Sequence, residues 1–280
     1  MILTVNHETV FRYEDAVLHS TQYLRLTPRC GEGQKVLEWQ LDLPIPAQAV
    51  EDPFGNILHV LTLDMPHREI RIRASGIVET EAGERMSFGG ADPLLFLRPT
   101  PLTAVDGALA SFADRFARED LSLERLDTLA GAALAHLPHE PGNSDSSRPA
   151  AEAFAAEHGS CQDHAHIFIA CCRHLGVPAR YVSGYVYAPD HGGRHMAAHA
   201  WAEAWFEDRW WSFDVVNRCR AGESYLKLAT GMDYLDACPV RGVRRAGGSA
   251  ILTAQVNVTR MSAQPPIIAN AGEAAAQLQQ

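Results

Sequence analysis

Alternation of apolar and polar residues is the clearest pattern in the first 80 residues. Leucine and tryptophan at every second position of 37–43 alternate with acidic and amide residues, and two isoleucines alternate with charged residues across 69–73. This period of two gives a strand one buried face and one wet face. Residues 52–56, Asp-Pro-Phe-Gly-Asn, have the composition of a turn between two such runs. Residues 1–80 are therefore predicted to form a β-sandwich domain.

Helical spacing replaces the alternation after residue 80. Connectors rich in glycine and proline lead into 104–118 and 122–137, where the spacing of apolar positions favours helices. Residues 81–148 are accordingly predicted to form a helical connector. A late alternating run at 251–258 indicates one more strand, which can join either sheet.

The second half of the chain is predicted to hold a separate core. A polar loop precedes it, with Ser146 or Ser147 as the predicted N-cap of a helix that continues through Glu157. The core is assigned to residues 149–262. Residues 263–280, with two prolines and an end rich in alanine and glutamine, are predicted to form a loose tail.

A buried helix with a cysteine in its first turn is predicted next. Ser160 is a favourable N-cap, and Asp163 lies where an acid can return a hydrogen bond to the cap. The following residues are apolar almost all round, and Gly176 and Pro178 end the helix. The first turn places Cys161 beside unpaired N–H groups that favour a thiolate. Alone, this position does not distinguish a nucleophile from one more buried thiol.

A β-hairpin is predicted to bring an imidazole and a carboxylate together. Two strand-like runs flank Glu207 and Asp208, which have the composition of a two-residue turn. That turn pairs His199 opposite Val216 and makes Asp214 its diagonal neighbour on the same face, about 7–8 Å away. A register slip of one residue would turn the carboxylate to the other face. In the predicted register, the carboxylate can hold the imidazole in one tautomer.

These residues carry a resemblance to a known family. In combination they resemble the transglutaminase-like core, and more narrowly its bacterial branch related to cysteine proteases. Residues 1–80 resemble the β-rich N-terminal region that precedes this core in bacterial members. The matching motifs are Cys-Gln-Asp-x-x-His at 161–166, the run at 176–185, His-Ala-Trp at 199–201, Phe-Asp at 213–214, and the N-terminal runs 24–29 and 52–56.

The resemblance implies an α+β fold, with the N-terminal β-sandwich followed by a papain-like, transglutaminase-like catalytic core. In that core the nucleophile helix packs on an antiparallel sheet. Cys161 would be the nucleophile, His199 the base and acid, and Asp214 the orienting carboxylate. The chain departs from the family pattern at three places. These are Val-Val-Asn at 215–217 in place of Pro-Thr-Asn, His164 in place of an aromatic residue, and the lack of a tyrosine in 137–140.

The predicted chemistry is thiol-dependent acyl transfer from an amide, peptide or protein substrate. Water as acceptor would make the enzyme a protease or amidase, and an amine would make it a transglutaminase. The sequence leaves this choice open. It also leaves open a catalytically silent module of the same fold that binds a protein partner, and a metal-dependent hydrolase.

Charge and cysteine content limit the classes of partner and the cellular location that we expect. The net charge of −10 argues against nucleic acid, which needs a basic footprint. We expect no membrane span, because no apolar stretch reaches 18 residues, and no signal peptide, because the start lacks a basic region. The six cysteines form no disulfide framework and fit a reducing cytoplasm best. The oligomeric state is not predicted.

The remaining histidines do not predict a metal site or a cofactor. His191, His195 and His199 recur every four residues, but two intervening glycines argue against the regular helix that would align them. His166 lies five residues after Cys161 and points to a different helix face. It is therefore predicted to be a buried structural histidine and not the general base.

Overall fold

Two sheets organise the described part of the chain, which in this computed structural model comprises residues 1–82, 91–117, 121–140, 148–187 and 198–261. The strands are β1 (Ile2–Thr27), β2 (Gln34–Asp42), β3 (Gln48–Glu51), β4 (Ile57–Leu63), β5 (His67–Thr80), β6 (Ala179–Val186), β7 (Ala198–Phe206), β8 (Arg209–Phe213), β9 (Tyr225–Gly231), β10 (Val240–Ala246) and β11 (Ala250–Arg260). The helices are α1 (Gly107–Asp114), α2 (Leu123–His136), α3 (Ala150–Phe154), α4 (Cys161–His174) and α5 (Tyr234–Ala237). The predicted α+β class is confirmed.

The long strand β1 organises the N-terminal sheet. Its first half pairs with β5 and β11, so that Val5 lies between Gly76 and Val258. Its second half pairs with β4 and β10, while β2 and β3 extend the sheet beyond β5 and β4. The region predicted as a sandwich thus forms one seven-stranded hydrogen-bonded sheet. All of its strands join one sheet because β1 is 26 residues long, so that its two halves pair with different strands.

The end of the described chain completes this N-terminal sheet. From sequence, residues 149–262 are predicted to form the catalytic core, and the sheet of the late strand is left open. The pairing of β10 and β11 with β1 corrects that assignment for residues 240–260. The physical reason is that β1 exposes an unpaired backbone edge on the side opposite β4 and β5, and two strands from the far end of the chain fill it.

The second sheet carries α4. Its antiparallel order is β8-β7-β6-β9, and α4 packs across β7 and β6 over an apolar core shared with α1, α2 and α3. Helices α1 and α2 begin behind the caps Asp106 and Ser122, inside the predicted helical runs. Helix α3 is shorter than predicted: it begins behind Pro149 and ends at Phe154. Ser146 and Ser147, like the predicted tail, lie outside the described residues.

Side chains from both sheets meet in one apolar cluster. Tyr185 of β6 and Leu226 of β9 lie in the same buried cluster as Leu3 of β1. Nδ1 of the buried His7 lies 2.6 Å from the Tyr185 hydroxyl, and the Asn56 side chain bonds both backbone groups of Thr230. The N-terminal sheet therefore braces the strands that carry the candidate site.

A buried ion cluster joins three strands of the second sheet. Glu203 of β7 accepts hydrogen bonds from Arg180 of β6, at 2.7 Å, and from Lys227 of β9. Burial lowers the pKa of Lys227 to about 8 against the opposing charge of Glu203. Buried charges are tolerated when paired, and removal of one partner is strongly destabilising. Glu203 therefore fixes the relative positions of β6, β7 and β9.

None of the helices in the described ranges is long and apolar enough to cross a membrane.

Candidate active site

The first turn of α4 is fixed by a capping box, as the sequence predicted. The Ser160 hydroxyl accepts from the Asp163 N–H at 3.3 Å, and Oδ2 of Asp163 accepts from the Ser160 N–H at 2.8 Å. Arg148 donates to both oxygens of the same carboxylate, at 3.1 and 2.6 Å. Burial opposes ionisation of Asp163, but the hydrogen bonds from Arg148 and Ser160 hold its pKa below the ordinary value. The reciprocal bonds between Ser160 and Asp163 and the two bonds from Arg148 thus hold the helix start that carries Cys161.

His164 links the same turn to the segment that follows α2, a role that was not predicted from the sequence. Its Nδ1 lies 2.7 Å from the carbonyl oxygen of Ser160, and its Nε2 lies 2.7 Å from that of Leu137. A carbonyl only accepts, so both contacts are hydrogen bonds when the ring is doubly protonated. The ring is fully buried. A polar residue is therefore suited to this position, where the family pattern has an aromatic one.

The predicted hairpin forms, with a correction at its open end. Glu207 and Asp208 occupy the turn with φ of 50° and 57°, the left-handed geometry of a type I′ turn. Pairing follows the predicted register from the turn to Ala202 opposite Phe213. The ladder stops there, so the predicted pairing of His199 with Val216 does not form. The chain turns away after Phe213 and closes a bridge between Asp214 and Cys219.

His199 and Asp214 are in direct contact despite this shorter ladder. Nε2 of His199 lies 2.6 Å from Oδ2 of Asp214, and both side chains are almost completely buried. The same oxygen accepts from the Asn217 side chain and the Tyr225 hydroxyl, each at 2.7 Å, while Oδ1 accepts from the Asn217 N–H at 3.0 Å. Four donors thus hold the carboxylate. Sequence reasoning missed Tyr225, which comes from β9.

The electrostatics of the site favour a protonated imidazole. Burial would lower the pKa of His199, but hydrogen bonds and charge from Asp214 and Cys161 raise it to about 10. Burial would raise the pKa of Asp214, but His199, Asn217 and Tyr225 hold it below the ordinary value. With Nε2 on the carboxylate, Nδ1 is the nitrogen left for Cys161. The structure therefore brings together the three side chains that the sequence singled out.

The other thiols differ from Cys161 in burial. Cys171 and Cys172 lie farther along α4, and burial raises the pKa of Cys171 to about 12 and that of Cys172 well above its ordinary value. Cys219 is near the surface, where its Sγ lies 3.2 Å from the Tyr225 hydroxyl. Cys161 is half-buried at the helix start, and its Sγ lies 3.4 Å from Oε1 of Gln162.

His166 is buried away from this arrangement, where its Nε2 accepts from the Tyr234 N–H at 3.1 Å. Burial lowers its pKa to about 4, so the ring is neutral at neutral pH. It has no bond to Cys161 or Asp214 among its described contacts. His191 and His195 lie outside the described residues. Within the ranges that are described, no group of three His, Cys, Asp or Glu side chains is arranged to hold a metal ion.

A close approach of backbone to side chain positions His199. Gly184 of β6 lies opposite His199 in the ladder. A Cβ on Gly184 would come within 2.6 Å of the Trp201 ring and 2.2 Å of the Leu226 carbonyl oxygen. The Trp201 ring in turn stacks on the imidazole of His199, with ring centres 6.3 Å apart at 27°. The absence of a side chain at Gly184 therefore sets the position of the imidazole through Trp201.

A second histidine borders the site. Nδ1 of the partly exposed His139 lies 3.2 Å from the carbonyl oxygen of Gly159, two residues before Cys161. Interactions with His199 and Asp214 contribute to the pKa of His139, which places it within electrostatic range of both. A cavity of about 310 Å³ lies between α2 and residues 213–220, with Asp214 in its wall.

Family models match two segments of the chain. Residues 110–215 match the model described as the transglutaminase-like superfamily, a span that contains Cys161, His199 and Asp214. Residues 3–79 match the model of the bacterial transglutaminase-like N-terminal region.

The chain is also similar over most of its length to two relatives and to one solved structure. The chain is 29% identical over 278 residues to an uncharacterized protein of Mycobacterium leprae, with 93% of the chain and 99% of the relative covered. It is 30% identical over 272 residues to an uncharacterized protein of Mycobacterium tuberculosis, with 85% and 86% covered. A crystal structure of a candidate cysteine protease from Cytophaga hutchinsonii superposes with a TM-score of 0.76 at 20% identity, covering 94% of this chain and 92% of that one. At that identity the likeness concerns the fold alone.

Proposed function

The chain belongs to the transglutaminase-like superfamily, and from this premise we propose that it is a cysteine-nucleophile enzyme that transfers the acyl group of an amide or peptide. In this proposal Cys161 is the nucleophile, His199 the acid and base, and Asp214 the orienting carboxylate. The observation that carries it is the contact of His199 Nε2 with Asp214 at 2.6 Å, while Cys161 helps to raise the pKa of the same imidazole.

The protonation state of this arrangement supports a thiolate–imidazolium resting state. A pKa near 10 keeps the His199 ring charged at neutral pH. The hydrogen bonds to Asp214 hold the negative charge that stabilises this ring. A cysteine beside an imidazolium and at a helix N-terminus is in the environment that favours the reactive thiolate. Cys161 has this environment, at the start of α4 and near His199.

Acylation follows from this resting state. The Cys161 thiolate attacks the carbonyl carbon, and the charge moves to the carbonyl oxygen. The backbone N–H of Cys161, in the helix turn without intrahelical acceptors, is the natural first donor to that oxygen. The C–N bond then breaks, and His199 gives its proton to the departing amine. This leaves a thioester on Cys161 and a neutral imidazole.

Deacylation returns the enzyme to its starting state. An acceptor, water or an amine, attacks the thioester and loses a proton to His199. The C–S bond breaks, which restores the thiolate and the imidazolium. We propose a protein, peptide or small amide as acyl donor. The six cysteines, all free, support a reducing cytoplasm as the location.

Intact-mass analysis tests the nucleophile. The protein is treated with a peptidyl acyl electrophile at neutral pH, alongside Cys161→Ser and, as matched control, the variant Cys30→Ser at an exposed thiol of the N-terminal region. We expect one adduct in the wild type and in Cys30→Ser, and none in Cys161→Ser. Folded wild type without any adduct would favour the silent binding module of the same fold. Adducts spread over several thiols would remove Cys161 from its role.

A further inference from the structure

We propose that the cavity between α2 and residues 213–220 is a binding site for a small organic carboxylate, which pairs with the guanidinium of Arg218. The site borders Asp214, whose Oδ2 lies 2.6 Å from Nε2 of His199. The inference goes beyond the proposed function, because it assigns a ligand to a cavity that the acyl-transfer steps do not use. Its main test measures binding without turnover.

Apolar and charged side chains line the cavity together. Its volume of about 310 Å³ is at the lower end of the range for small-molecule sites. Its apolar surface includes Ala130 of α2 and, on the facing segment, Phe213 and Val215. Its charged groups are Asp127, Asp214, Arg218 and Arg220. A ligand that fits this cavity is therefore small, with an apolar body and a polar end.

The charges in the wall leave one cation without a counter-charge. Nη2 of Arg220 lies 2.7 Å from Oδ1 and 2.8 Å from Oδ2 of Asp127, so these two groups neutralise each other. Asp214 pairs with the protonated His199 and accepts from three further donors. Arg218 is exposed and has neither an ion pair nor a hydrogen bond within the described ranges. The uncompensated charge of the cavity is therefore positive, in a chain whose net charge is −10.

These charges select an anion and the apolar surface selects an organic one. A cationic ligand does not fit, because both carboxylates of the wall already have cationic partners. A guanidinium presents a planar fork of donors that matches a carboxylate with two parallel hydrogen bonds. Phe213 and Val215 then contact the apolar body of the ligand, which an inorganic anion does not have.

Gly131 keeps the helical wall of the cavity open. It lies inside the 14-residue helix α2, where a glycine is less favourable than an alanine. A Cβ at this position would meet nothing within 4 Å, so the packing of the helix does not require a glycine. The missing side chain leaves room for a ligand on this side.

Arg218 has an unfavourable backbone conformation on the opposite side. Its φ of 53° is in the left-handed region, which residues other than glycine and asparagine rarely adopt. The backbone bridge between Asp214 and Cys219, with N–O distances of 3.0 and 3.3 Å, closes the turn that imposes this conformation. Strain of this kind is concentrated at active sites and at ligand sites. Two locally unfavourable choices, at Gly131 and at Arg218, thus border the same cavity.

The same turn links the cavity to the acid–base pair. The backbone N–H and the side chain of Asn217 bond Oδ1 and Oδ2 of Asp214, at 3.0 and 2.7 Å. Arg218 follows Asn217 directly in the chain. A ligand that pairs with Arg218 therefore restrains the turn that holds Asp214. We expect binding to alter the surroundings of the His199 imidazole, which contacts the same carboxylate.

Titration of the full chain, followed by ¹H–¹⁵N NMR, measures this binding. The probe is N-acetyl-leucine, which has an apolar body and a carboxylate, and N-acetylleucinamide is its neutral counterpart. Arg218→Asn removes the guanidinium and suits the left-handed backbone, so the variant should melt no lower than wild type. Gly131→Leu fills the cavity with a good helix former, and Gly131→Ala leaves most of it open. Arg245→Gln, which removes an exposed charge from β10, is the control.

We expect wild type, Gly131→Ala and Arg245→Gln to bind N-acetyl-leucine with similar dissociation constants. Arg218→Asn should weaken binding by about tenfold or more, as expected for a lost hydrogen bond to a charged group, and Gly131→Leu should abolish it. Signals of residues 213–220 and of the His199 ring should shift on binding. Wild type that binds no probe, equal binding of the acid and its amide, or unchanged binding in folded Arg218→Asn and Gly131→Leu would overturn the proposal. Inorganic phosphate that binds as tightly as the probe would also overturn it, because the apolar surface would then contribute nothing.

A second measurement identifies the source of the carboxylate, which belongs either to the acyl donor or to a separate small molecule. The rate at which a peptidyl electrophile modifies Cys161 is measured with and without saturating N-acetyl-leucine. A slower reaction with the probe supports the site and assigns the carboxylate to the acyl donor, because the two ligands then compete. An unchanged or faster reaction, with the probe bound, supports the site and assigns it to a separate molecule. If the electrophile does not label wild type while the probe still binds, the proposed function fails and the carboxylate site stands.

Discussion

Tyr225 donates its hydroxyl hydrogen to Oδ2 of Asp214 at 2.7 Å, the same oxygen that lies 2.6 Å from His199. Burial and the neighbouring carboxylate raise the pKa of Tyr225 well above its ordinary value, so the hydroxyl keeps its hydrogen at neutral pH. A strand outside the hairpin thus holds the carboxylate in place. The position of Asp214 therefore depends on β9 as well as on the hairpin of β7 and β8.

Replacing this hydroxyl tests its contribution. Tyr225→Phe removes one donor from a charged acceptor, which is worth about 1.5–3 kcal/mol. Because Tyr225 helps to hold the pKa of Asp214 down, that pKa should rise in the variant. We expect kcat to fall about tenfold or more, and the acid limb of the activity profile to move to higher pH. Tyr23→Phe, on β1, is the control. An unchanged profile would assign Tyr225 to packing alone.

Thiol reactivity should follow burial and position along α4. We expect iodoacetamide to modify Cys161 well before Cys171 and Cys172, whose pKa values are raised by burial. Cys219 should also lag at acid and neutral pH, since burial raises its pKa as well. Peptide-resolved labelling between about pH 5 and 9 measures the order, because that range brackets reactive thiolates. Labelling at equal rates at all positions would contradict the assignment of the nucleophile.

The raised pKa of His199 predicts how stability depends on pH. The folded value of about 10 lies above the unfolded value of about 6.5, so the stabilisation from the protonated ring is complete below pH 6.5 and is lost as pH rises through 10. Urea denaturation should show wild type losing more free energy of unfolding between pH 6.5 and 10 than His199→Ala, by a few kcal/mol at order of magnitude. A parallel loss in both proteins would argue against the raised value.

Substitution of His199 and of His166 should have different effects, one on activity and the other on stability. His199→Ala should abolish acyl-enzyme formation and remain folded at neutral pH. His166→Ala should mainly lower the melting temperature, because it removes a buried ring that accepts from Tyr234. Mass analysis and melts on both variants distinguish the roles. The assignment is reversed if His166→Ala stays folded without acylation while His199→Ala retains it.

Local features of the site could be predicted from the sequence. The cap formed by Ser160 and Asp163 and the turn at Glu207 and Asp208 depend on neighbours a few residues apart. Their side-chain chemistry therefore determines them directly. The contact of His199 with Asp214 was also expected, although the ladder ends before the pairing that suggested it. The carboxylate reaches the ring from a turn and not from a strand.

Non-local features could not be predicted in the same way. Tyr225 reaches Asp214 because β9 pairs with β6, and a strand's partner is not encoded by its own alternation. For the same reason the sheet joined by β11 stayed open, and β10 and β11 were assigned to the wrong domain. The only sequence signal near His139 was that residues 137–140 lack the tyrosine of the family pattern. Its approach to Gly159 requires a bridge between segments twenty residues apart.

The close approach at Gly184 predicts a coupled loss of stability and activity. In Gly184→Ala the added Cβ meets the Leu226 carbonyl and the Trp201 ring. Overpacking of this kind costs about 1–3 kcal/mol, and the displaced indole would shift His199. We expect a lower melting temperature and a lower kcat in the same variant. Gly222→Ala, where a Cβ meets nothing within 4 Å, should change neither. Wild-type turnover in Gly184→Ala would show that Trp201 does not position the imidazole.

Removal of charge at Asp214 tests the geometry and the chemistry together. Asp214→Asn keeps the shape of the side chain but removes the charge that stabilises the imidazolium of His199. Its amide can also donate to Nε2, which favours the tautomer with hydrogen on Nδ1, the nitrogen that faces Cys161. By analogy with charge removal in other triads, we expect kcat to fall by about 10³–10⁴, or about 4–5.5 kcal/mol of barrier.

The same substitution should lower the pKa of His199, because Asp214 is a principal cause of its elevation. The alkaline limb of the activity profile should therefore move to lower pH in whatever activity remains. Stability should change less than kcat, since the substitution keeps the shape of the side chain and creates no cavity, and the Asn217 N–H can still donate to the oxygen at the Oδ1 position. A melt and a kcat measurement on one amide substrate decide the matter. A folded Asp214→Asn enzyme with near-normal turnover would remove Asp214 from the orienting role and make Asn217, 3.4 Å from His199 Nε2, the next candidate.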